Sequence, residues 1–191
     1  GFECYLVEKK SELGGKLRNI YYTLRGEAPQ AYLKQIIERI KSHELIKVYT
    51  SAEVQSVDGF VGNFRTVLAV GKGGDRQTVE LEHGTLILAT GAKAFSTGEY
   101  LYGRNENVLL QPDLEKRLAL GRYTPAAGHT VVMIQCVGSR NEEHPYCSSI
   151  CCSMAVKNAL KIKEINPSTN VYILYRDMNT YGFREEYYTK A

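Results

Sequence analysis

The chain has 191 residues, of which 43% are hydrophobic and 24% are charged, and its formal net charge is +3. This composition supports a packed core and excludes long disorder, and the balanced charge argues against nucleic-acid binding. The sequence contains no apolar run of about eighteen residues, which a transmembrane helix would need, and no signal peptide at its first residues. We therefore expect a cytoplasmic protein, in which cysteine thiols stay reduced.

The first part of the chain predicts a strand, a helix and then several short strands. Residues 2–7 form an apolar run that ends at Glu8, which is typical of a buried parallel strand and would also bury Cys4. Apolar residues spaced as on one face of a helix follow over 31–41. Further strands are predicted at 46–49, 54–57, 64–70, 77–81 and 85–89, with a hairpin turn at 71–75.

The last part of the chain predicts a strand, a helix and another strand. After a short helix at 114–120 and a linker at 121–128, the predicted elements are a strand at 131–134, a helix at 148–164, a strand at 171–175 and a helix from about 183. A strand–helix–strand order implies two parallel strands joined by a crossover helix.

Three short features in the first part are typical of a dinucleotide site. An acid at the end of a strand, here Glu8, can accept hydrogen bonds from ribose hydroxyls. The pair Gly14-Gly15 lets the backbone approach a ligand closely, and Thr90-Gly91 follows a strand where small residues leave room for a cofactor. Each feature also has an ordinary explanation when taken alone. Glu8 fits a solvated acid at a strand end, Gly14-Gly15 fits a plain turn, and Thr90-Gly91 fits a common strand exit.

Taken in order, these features resemble the flavoproteins with two dinucleotide-binding domains, the thioredoxin reductase and glutathione reductase superfamily. The resemblance implies that Glu8, Gly14, Gly15, Thr90 and Gly91 belong to an FAD site, with a β-meander at 54–82 between its parts. The first strand of that fold and its Gly-x-Gly-x-x-Gly loop would precede Phe2. We therefore expect an α/β fragment with a parallel sheet and a β-meander, in which the first βα unit is missing.

Four of the five cysteines form a cluster in the sequence with the spacing Cys-x10-Cys-x3-Cys-Cys: Cys136, Cys147, Cys151 and Cys152. Cys136 ends a predicted strand, and Cys147 and Cys151 are four residues apart, as on one face of a helix start. Four thiolates suit zinc or an iron–sulfur cluster. We favour the cluster, because zinc needs all four sulfurs at ~2.3 Å from one point, whereas adjacent helical residues point about 100° apart. Disulfides and inert core cysteines are the remaining alternatives.

The cysteine segment closely resembles the signature of the heterodisulfide reductase A-subunit family. The resemblance rests on 136–140, Pro145-Tyr146-Cys147 and Cys151-Cys152, and on 175–177 with 180–182 and 185–186. It implies a cytoplasmic FAD-containing iron–sulfur subunit that passes electrons to other heterodisulfide reductase-like subunits and electron carriers. In that family the four cysteines would hold a [4Fe–4S] cluster near the flavin.

Two departures from the family pattern narrow this interpretation. No cysteine occurs between Cys4 and Cys136, so the inserted ferredoxin module of methanogen members is absent, and heterodisulfide is not established as the substrate. No Gly-x-Gly-x-x-Gly follows the strand at 131–134, so the sequence does not support NAD(P) binding there.

These interpretations give two domains and two competing functions. We predict a partial FAD-binding domain at 1–124 and a partial second dinucleotide-binding-like domain with the cysteines at 125–191. The leading hypothesis is an oxidoreductase subunit with FAD and [4Fe–4S] and no catalytic acid or base; the alternative is a non-catalytic zinc-stabilised interaction domain. We expect the chain alone to be inactive and not to retain FAD, since the phosphate loop is lacking. A homodimer through the open edge near 2–7 is a further alternative.

Overall fold

The computed structural model describes residues 1–191, and these residues form two compact units. The first unit consists of 1–18 and 30–92, and the second consists of 19–29 and 93–191. These bounds differ from the predicted domains at 1–124 and 125–191, whose assignment stays a prediction because compactness does not by itself define a cofactor-binding domain.

The first unit begins with a parallel pair of strands and one helix. Strand β1 (Cys4–Val7) pairs in parallel with β2 (Ile46–Tyr49), and helix α1 (Pro29–Ser42) lies between them in the chain. Pro29 suits the first turn of α1 because that turn needs no backbone donor. The predicted helix and both strands are therefore confirmed, with Glu8 directly after β1.

An antiparallel meander completes the regular structure of the first unit. Its strands are β3 (Ala52–Phe60), β4 (Asn63–Val70) and β5 (Gln77–His83), with an irregularity in register between Val54 and Ser56. The predicted turn at 71–75 connects β4 to β5. Gly71 has φ +113°, and a Cβ there would lie 2.8 Å from the Asp75 carbonyl oxygen, which explains the glycine. The predicted β-meander is confirmed.

The strand predicted at 85–89 does not form. The segment is irregular, and Leu86, Ile87 and Leu88 are 42%, 84% and 79% exposed. A short apolar run predicts a buried strand only if a neighbouring strand can pair with it, and no strand pairs with this run. Cys4 is likewise exposed rather than buried, because β1 has a partner strand on one side only.

The second unit contains the predicted parallel pair. Its elements are α2 (Gln111–Ala119), β6 (Thr130–Ile134), α3 (Cys151–Ile165), β7 (Asn170–Leu174) and α4 (Glu185–Lys190). Strands β6 and β7 pair in parallel in register from Thr130 with Asn170 to Ile134 with Leu174. The core consists of Leu114, Leu118, Met133, Ala155, Ala159 and Ile162. Parallel pairs and an antiparallel meander together confirm the predicted α/β class.

A buried polar group of side chains, the Glu115 cluster, holds residues 19–29 within the second unit. It consists of Tyr22, Gln111, Glu115, Lys157 and Asn158. Glu115 is 1% exposed, lies 2.7 Å from the Lys157 ammonium and accepts the Tyr21 backbone N–H at 2.8 Å.

The tyrosine and amide members of the Glu115 cluster are also fully bonded. The Tyr22 hydroxyl donates to Asn158 Oδ1 at 2.8 Å, and Asn158 Nδ2 donates to Gln111 Oε1 at 2.7 Å. Burial, and secondarily the negative charge of Glu115, raise the pKa of Tyr22 well above its ordinary value. The side chain therefore stays a neutral donor.

None of the helices combines the length and apolar character that crossing a bilayer requires.

Candidate metal centre

The cysteine segment connects the carboxyl end of β6 to the first turn of α3. Cys136 lies two residues beyond β6, Cys147 lies in the loop, and Cys151 and Cys152 are the first two residues of α3. The predicted helical pairing of Cys147 with Cys151 is wrong, because the helix begins only at Cys151. Ser149 has φ +56°, a left-handed conformation that cannot continue a right-handed helix.

Strained backbone conformations are concentrated in this loop. Cys136, Arg140 and Ser149 have φ values of 62°, 58° and 56°, in a region that residues with a Cβ seldom adopt. Such conformations cost free energy and persist where the surroundings enforce them, often at ligand sites. The loop is therefore held in a shape that its local sequence does not favour.

An aromatic side chain from an earlier segment packs under the loop. A Cβ built at Gly138 would overlap ring atoms of Phe95, so only glycine leaves room for that ring. Phe95 contacts His144 edge-on, and His144 contacts Tyr146 in the same way, with ring centroids 5.8 Å apart in both pairs. This aromatic row supports the loop that carries Cys136 and Cys147.

Two of the four thiols have defined and different surroundings. Cys147 Sγ accepts the Ser149 backbone N–H at 3.3 Å and the Asn179 side-chain N–H at 3.5 Å. The Ser149 bond is the largest of the effects that lower the pKa of the Cys147 thiol. The Cys152 thiol is buried and donates to the Asp177 carbonyl oxygen at 3.7 Å, and burial raises its pKa.

The other two thiols lie close to the same groups. Charges on Cys151 and Cys136 raise the pKa of Cys152 further, so these three sulfurs interact electrostatically. Arg140 interacts with Cys136, which contributes to the raised pKa of Arg140, and its positive charge lowers the pKa of Cys147. Cys136, Cys151 and Cys152 are therefore close enough to interact, and Arg140 interacts with both Cys136 and Cys147.

Residues beyond β7 form the opposite side of the site. The Arg140 guanidinium lies 2.5 Å from the Asp177 carboxylate, which raises the pKa of Arg140. Arg176 Nη1 donates to the Arg140 carbonyl oxygen at 2.6 Å. Because β6 and β7 are parallel, their carboxyl ends meet, and this explains why residues following each strand come into contact.

Four buried side-chain polar atoms in the protein lack a hydrogen-bond partner, and all of them lie around the cysteines: Gln135 Nε2, Arg140 Nη1, His144 Nδ1 and Ser153 Oγ. Unpaired buried polar groups are costly and therefore rare. Gln135, Arg140 and Ser153 carry N–H or O–H donors whatever the pH. Such donors suit an anionic group that is bound by thiolates.

The chemistry of the donor set thus fits an iron–sulfur cluster. All five cysteines are free thiols, and no group of three or more His, Cys, Asp or Glu side chains converges as the ligands of a single metal ion do.

The predicted FAD residues all lie in the first unit, on two segments that are far apart in the chain. Glu8 follows β1 as predicted, and its carboxylate accepts the Lys10 backbone N–H at 2.8 Å. Gly14 and Gly15 have positive φ, and a Cβ at Gly14 would lie 3.0 Å from Leu33 of α1. Thr90 and Gly91 lie in the exposed irregular segment, and no hydrogen bond connects them to the Glu8 loop.

Asn179 is the site residue that the sequence patterns did not predict. An asparagine four residues beyond a predicted strand carries no motif of its own. The one signal for it was topological: parallel pairing places the residues after β7 beside the residues after β6.

Comparison with known proteins identifies relatives along the whole chain. No protein-family model matches. The A-type iron-sulfur subunit of CoB–CoM heterodisulfide reductase from Methanocaldococcus jannaschii is 28% identical over 279 aligned residues, which cover 100% of this chain and 42% of the relative. The first of two such A-type subunits from Methanopyrus kandleri is 28% identical over 284 residues, with the same coverage.

A shorter match has higher identity. The A-type subunit of the Ferredoxin/F(420)H(2)-dependent CoB-CoM heterodisulfide reductase of Methanosarcina acetivorans is 36% identical over 130 residues, 60% of this chain and 16% of the relative. Among solved structures, L-proline dehydrogenase from P. horikoshii gives a TM-score of 0.46 at 15% identity over 88% of this chain and 30% of that one.

The lengths of these matches agree with the prediction that this chain lacks a module inserted in methanogen members of the family. The alignment with the Methanocaldococcus jannaschii protein is longer than the 191 residues of this chain, so the relative contains residues that have no counterpart here. The chain spans less than half the length of the two relatives that it matches in full. Over its full length the chain is thus similar to several heterodisulfide reductase A subunits.

Proposed function

We propose that the chain forms the electron-transfer part of a heterodisulfide reductase-like oxidoreductase and binds a [4Fe–4S] cluster through Cys136, Cys147, Cys151 and Cys152. The observation that carries the proposal is that these four cysteines and all four unpaired buried polar atoms of the protein belong to residues 135–153. When bound, such a cluster supplies reversible one-electron transfer.

The surrounding residues provide a setting for negatively charged sulfurs. Cys151 and Cys152 occupy the first turn of the fifteen-residue helix α3, where the helix dipole stabilises negative charge. The Arg140 guanidinium lies beside Cys136, and the Ser149 N–H bonds Cys147. The Ser149 N–H and the positive charge of Arg140 lower the pKa of Cys147 and favour its thiolate, the form that binds iron.

FAD, partner subunits and location form the second part of the proposal. By family resemblance, Glu8, Gly14, Gly15, Thr90 and Gly91 contribute to an FAD site in the region 1–124, and the cysteines belong to the region 125–191. Electrons would pass between FAD, the cluster and other subunits or electron carriers. The cytoplasm suits this role because its reducing conditions keep the cysteines available for iron.

Anaerobic reconstitution of the 1–191 chain with iron and sulfide tests the cluster. We expect about four irons per chain and a broad absorption around ~400 nm. Serine substitution of any of the four cysteines should lower the iron content. Cys4→Ser is the matched control, because Cys4 is an exposed thiol of the first unit. Uptake of one zinc without colour would instead support the zinc-stabilised interaction domain.

Titration with FAD tests the flavin part separately. We expect no saturable quenching of flavin fluorescence by the chain alone at micromolar concentrations. If saturation occurs there, the prediction of no FAD binding is wrong. In that case Glu8→Gln should weaken the affinity, whereas Glu44→Gln, which alters an exposed acid of the same unit, should not.

A further inference from the structure

The segment 176–179, which lies just beyond β7, is attached to the cysteine site at several points. Arg176 and Asp177 both bond Arg140, one through its carbonyl oxygen and the other through its guanidinium. The Asn179 side chain donates to Cys147, and the Asp177 carbonyl oxygen lies 3.7 Å from Cys152 Sγ in the metal-free protein. Arg176 and Asp177 thus hold the chain before Asn179. The residue after it, Thr180, is 3% exposed and therefore holds the chain on the other side.

We propose, on the basis of the proposed function, that Asn179 is a positioning residue that donates its side-chain N–H to the Cys147 sulfur and thereby raises the reduction potential of the cluster. A hydrogen bond to a ligand sulfur withdraws negative charge from it, and this favours the state with one more electron. The donor and acceptor are 3.5 Å apart, within the range for a bond to sulfur.

Asn179 suits this role better than the other donors around the site. The Ser149 N–H belongs to the backbone, and replacing Arg140 would also break its ion pair with the Asp177 carboxylate. The Asn179 amide has no other assigned partner, so its bond to Cys147 accounts for its orientation. A side-chain amide can also be replaced without altering the backbone of the loop.

Redox titration of the reconstituted chain, followed by electron paramagnetic resonance, tests the proposal. Dithionite supplies one electron to the oxidised cluster, and no bond forms or breaks. Asn179→Leu keeps the approximate volume but removes the donor. We expect its ratio of reduced to oxidised cluster at a given potential to fall about tenfold, which corresponds to about 59 mV for one electron. Asn179→Gln keeps an amide donor and should restore part of the shift.

Asn107→Leu is the control, since Asn107 is an exposed asparagine of the same unit. An unchanged potential in Asn179→Leu overturns the inference, and so does an equal shift in Asn107→Leu. If Asn179→Leu fails to take up iron, Asn179→Gln decides: iron uptake with a near-normal potential supports the amide bond, and failure of both variants overturns it. If the unaltered chain takes up no iron, the proposed function itself is wrong, and this inference is overturned with it.

Discussion

Helix α3 carries two buried polar regions that differ in how completely they are bonded. At its middle, Lys157 and Asn158 belong to the Glu115 cluster, in which the carboxylate, ammonium, hydroxyl and amide groups all have partners. At its start, Cys151 and Cys152 belong to the cysteine segment, where four buried polar atoms have none. A region that serves only the fold satisfies its polar groups internally, whereas a ligand site leaves groups for the ligand.

The largest effect is expected from breaking the bonded region. Lys157→Met would leave Glu115 buried and without its counter-ion, and removing one partner of a buried pair costs about 3–5 kcal/mol. Urea unfolding followed by tyrosine fluorescence should show this loss for the second unit. Lys163→Met is the control, because Lys163 is an exposed lysine of the same helix whose ammonium bonds the Pro167 carbonyl oxygen. Equal losses in the two variants would mean that the Glu115 cluster contributes no more than a surface hydrogen bond.

A second variant tests how the cysteine loop is supported. Gly138→Ala places a methyl group against the Phe95 ring at a residue with φ +71°. We expect a loss of about 1–3 kcal/mol from steric overlap and backbone strain. Hydrogen exchange should show faster opening of 135–150, and iron uptake should fall. Phe95→Ala in the same chain should recover part of the loss, and no recovery would contradict the close packing of this ring.

The comparison is sharpest for two hydroxyl groups. Tyr22→Phe removes the partner of a buried Asn158 oxygen and should cost about 1–3 kcal/mol. Ser153→Ala removes a hydroxyl that has no partner, so the iron-free protein should lose almost nothing. Thermal unfolding of both variants measures the difference. A larger loss in Ser153→Ala than in Tyr22→Phe would contradict the contrast between the two regions.

The smallest effect concerns an exposed ion pair of the first unit. Lys9, and to a lesser extent Arg76, lower the pKa of the Glu53 carboxyl. A lowered pKa means that the ionised form stabilises the fold above the ordinary pKa, and that this contribution disappears as the pH falls through the lowered value. Glu53→Gln should therefore reduce Tm slightly at pH 7 and not at pH 2, and added salt should shrink the difference. A difference that grows in acid would contradict this sign.

Local patterns predicted most of the fold, since helix period, turn glycines and apolar strands act within a few residues. They failed where the outcome depended on distant partners. The run at 85–89 has the composition of a buried strand but lacks a neighbour to pair with. Cys147 has helical spacing from Cys151, yet the left-handed Ser149 precedes the helix.

The candidate site shows the same division between local and distant information. Cysteine spacing predicted a site for zinc or an iron–sulfur cluster, and the family resemblance implied the [4Fe–4S] cluster. The contacts of Asn179 and of the Glu115 cluster connect residues far apart in the chain, so no local pattern could reveal them. Parallel pairing of β6 with β7 provides the only route to the Asn179 contact.

The membership of 19–29 in the second unit has a consequence for how the protein is synthesised. The Tyr21 backbone N–H donates to Glu115, at a sequence separation of 94 residues. The Tyr22 hydroxyl donates to Asn158, at a separation of 136 residues. These early residues must therefore leave the ribosome long before their partners exist, and contacts of such sequence separation form slowly. The second unit can be completed only after α3 has been made. A chain interrupted before that point would expose Tyr22 to other partners, which is a known source of misassembly.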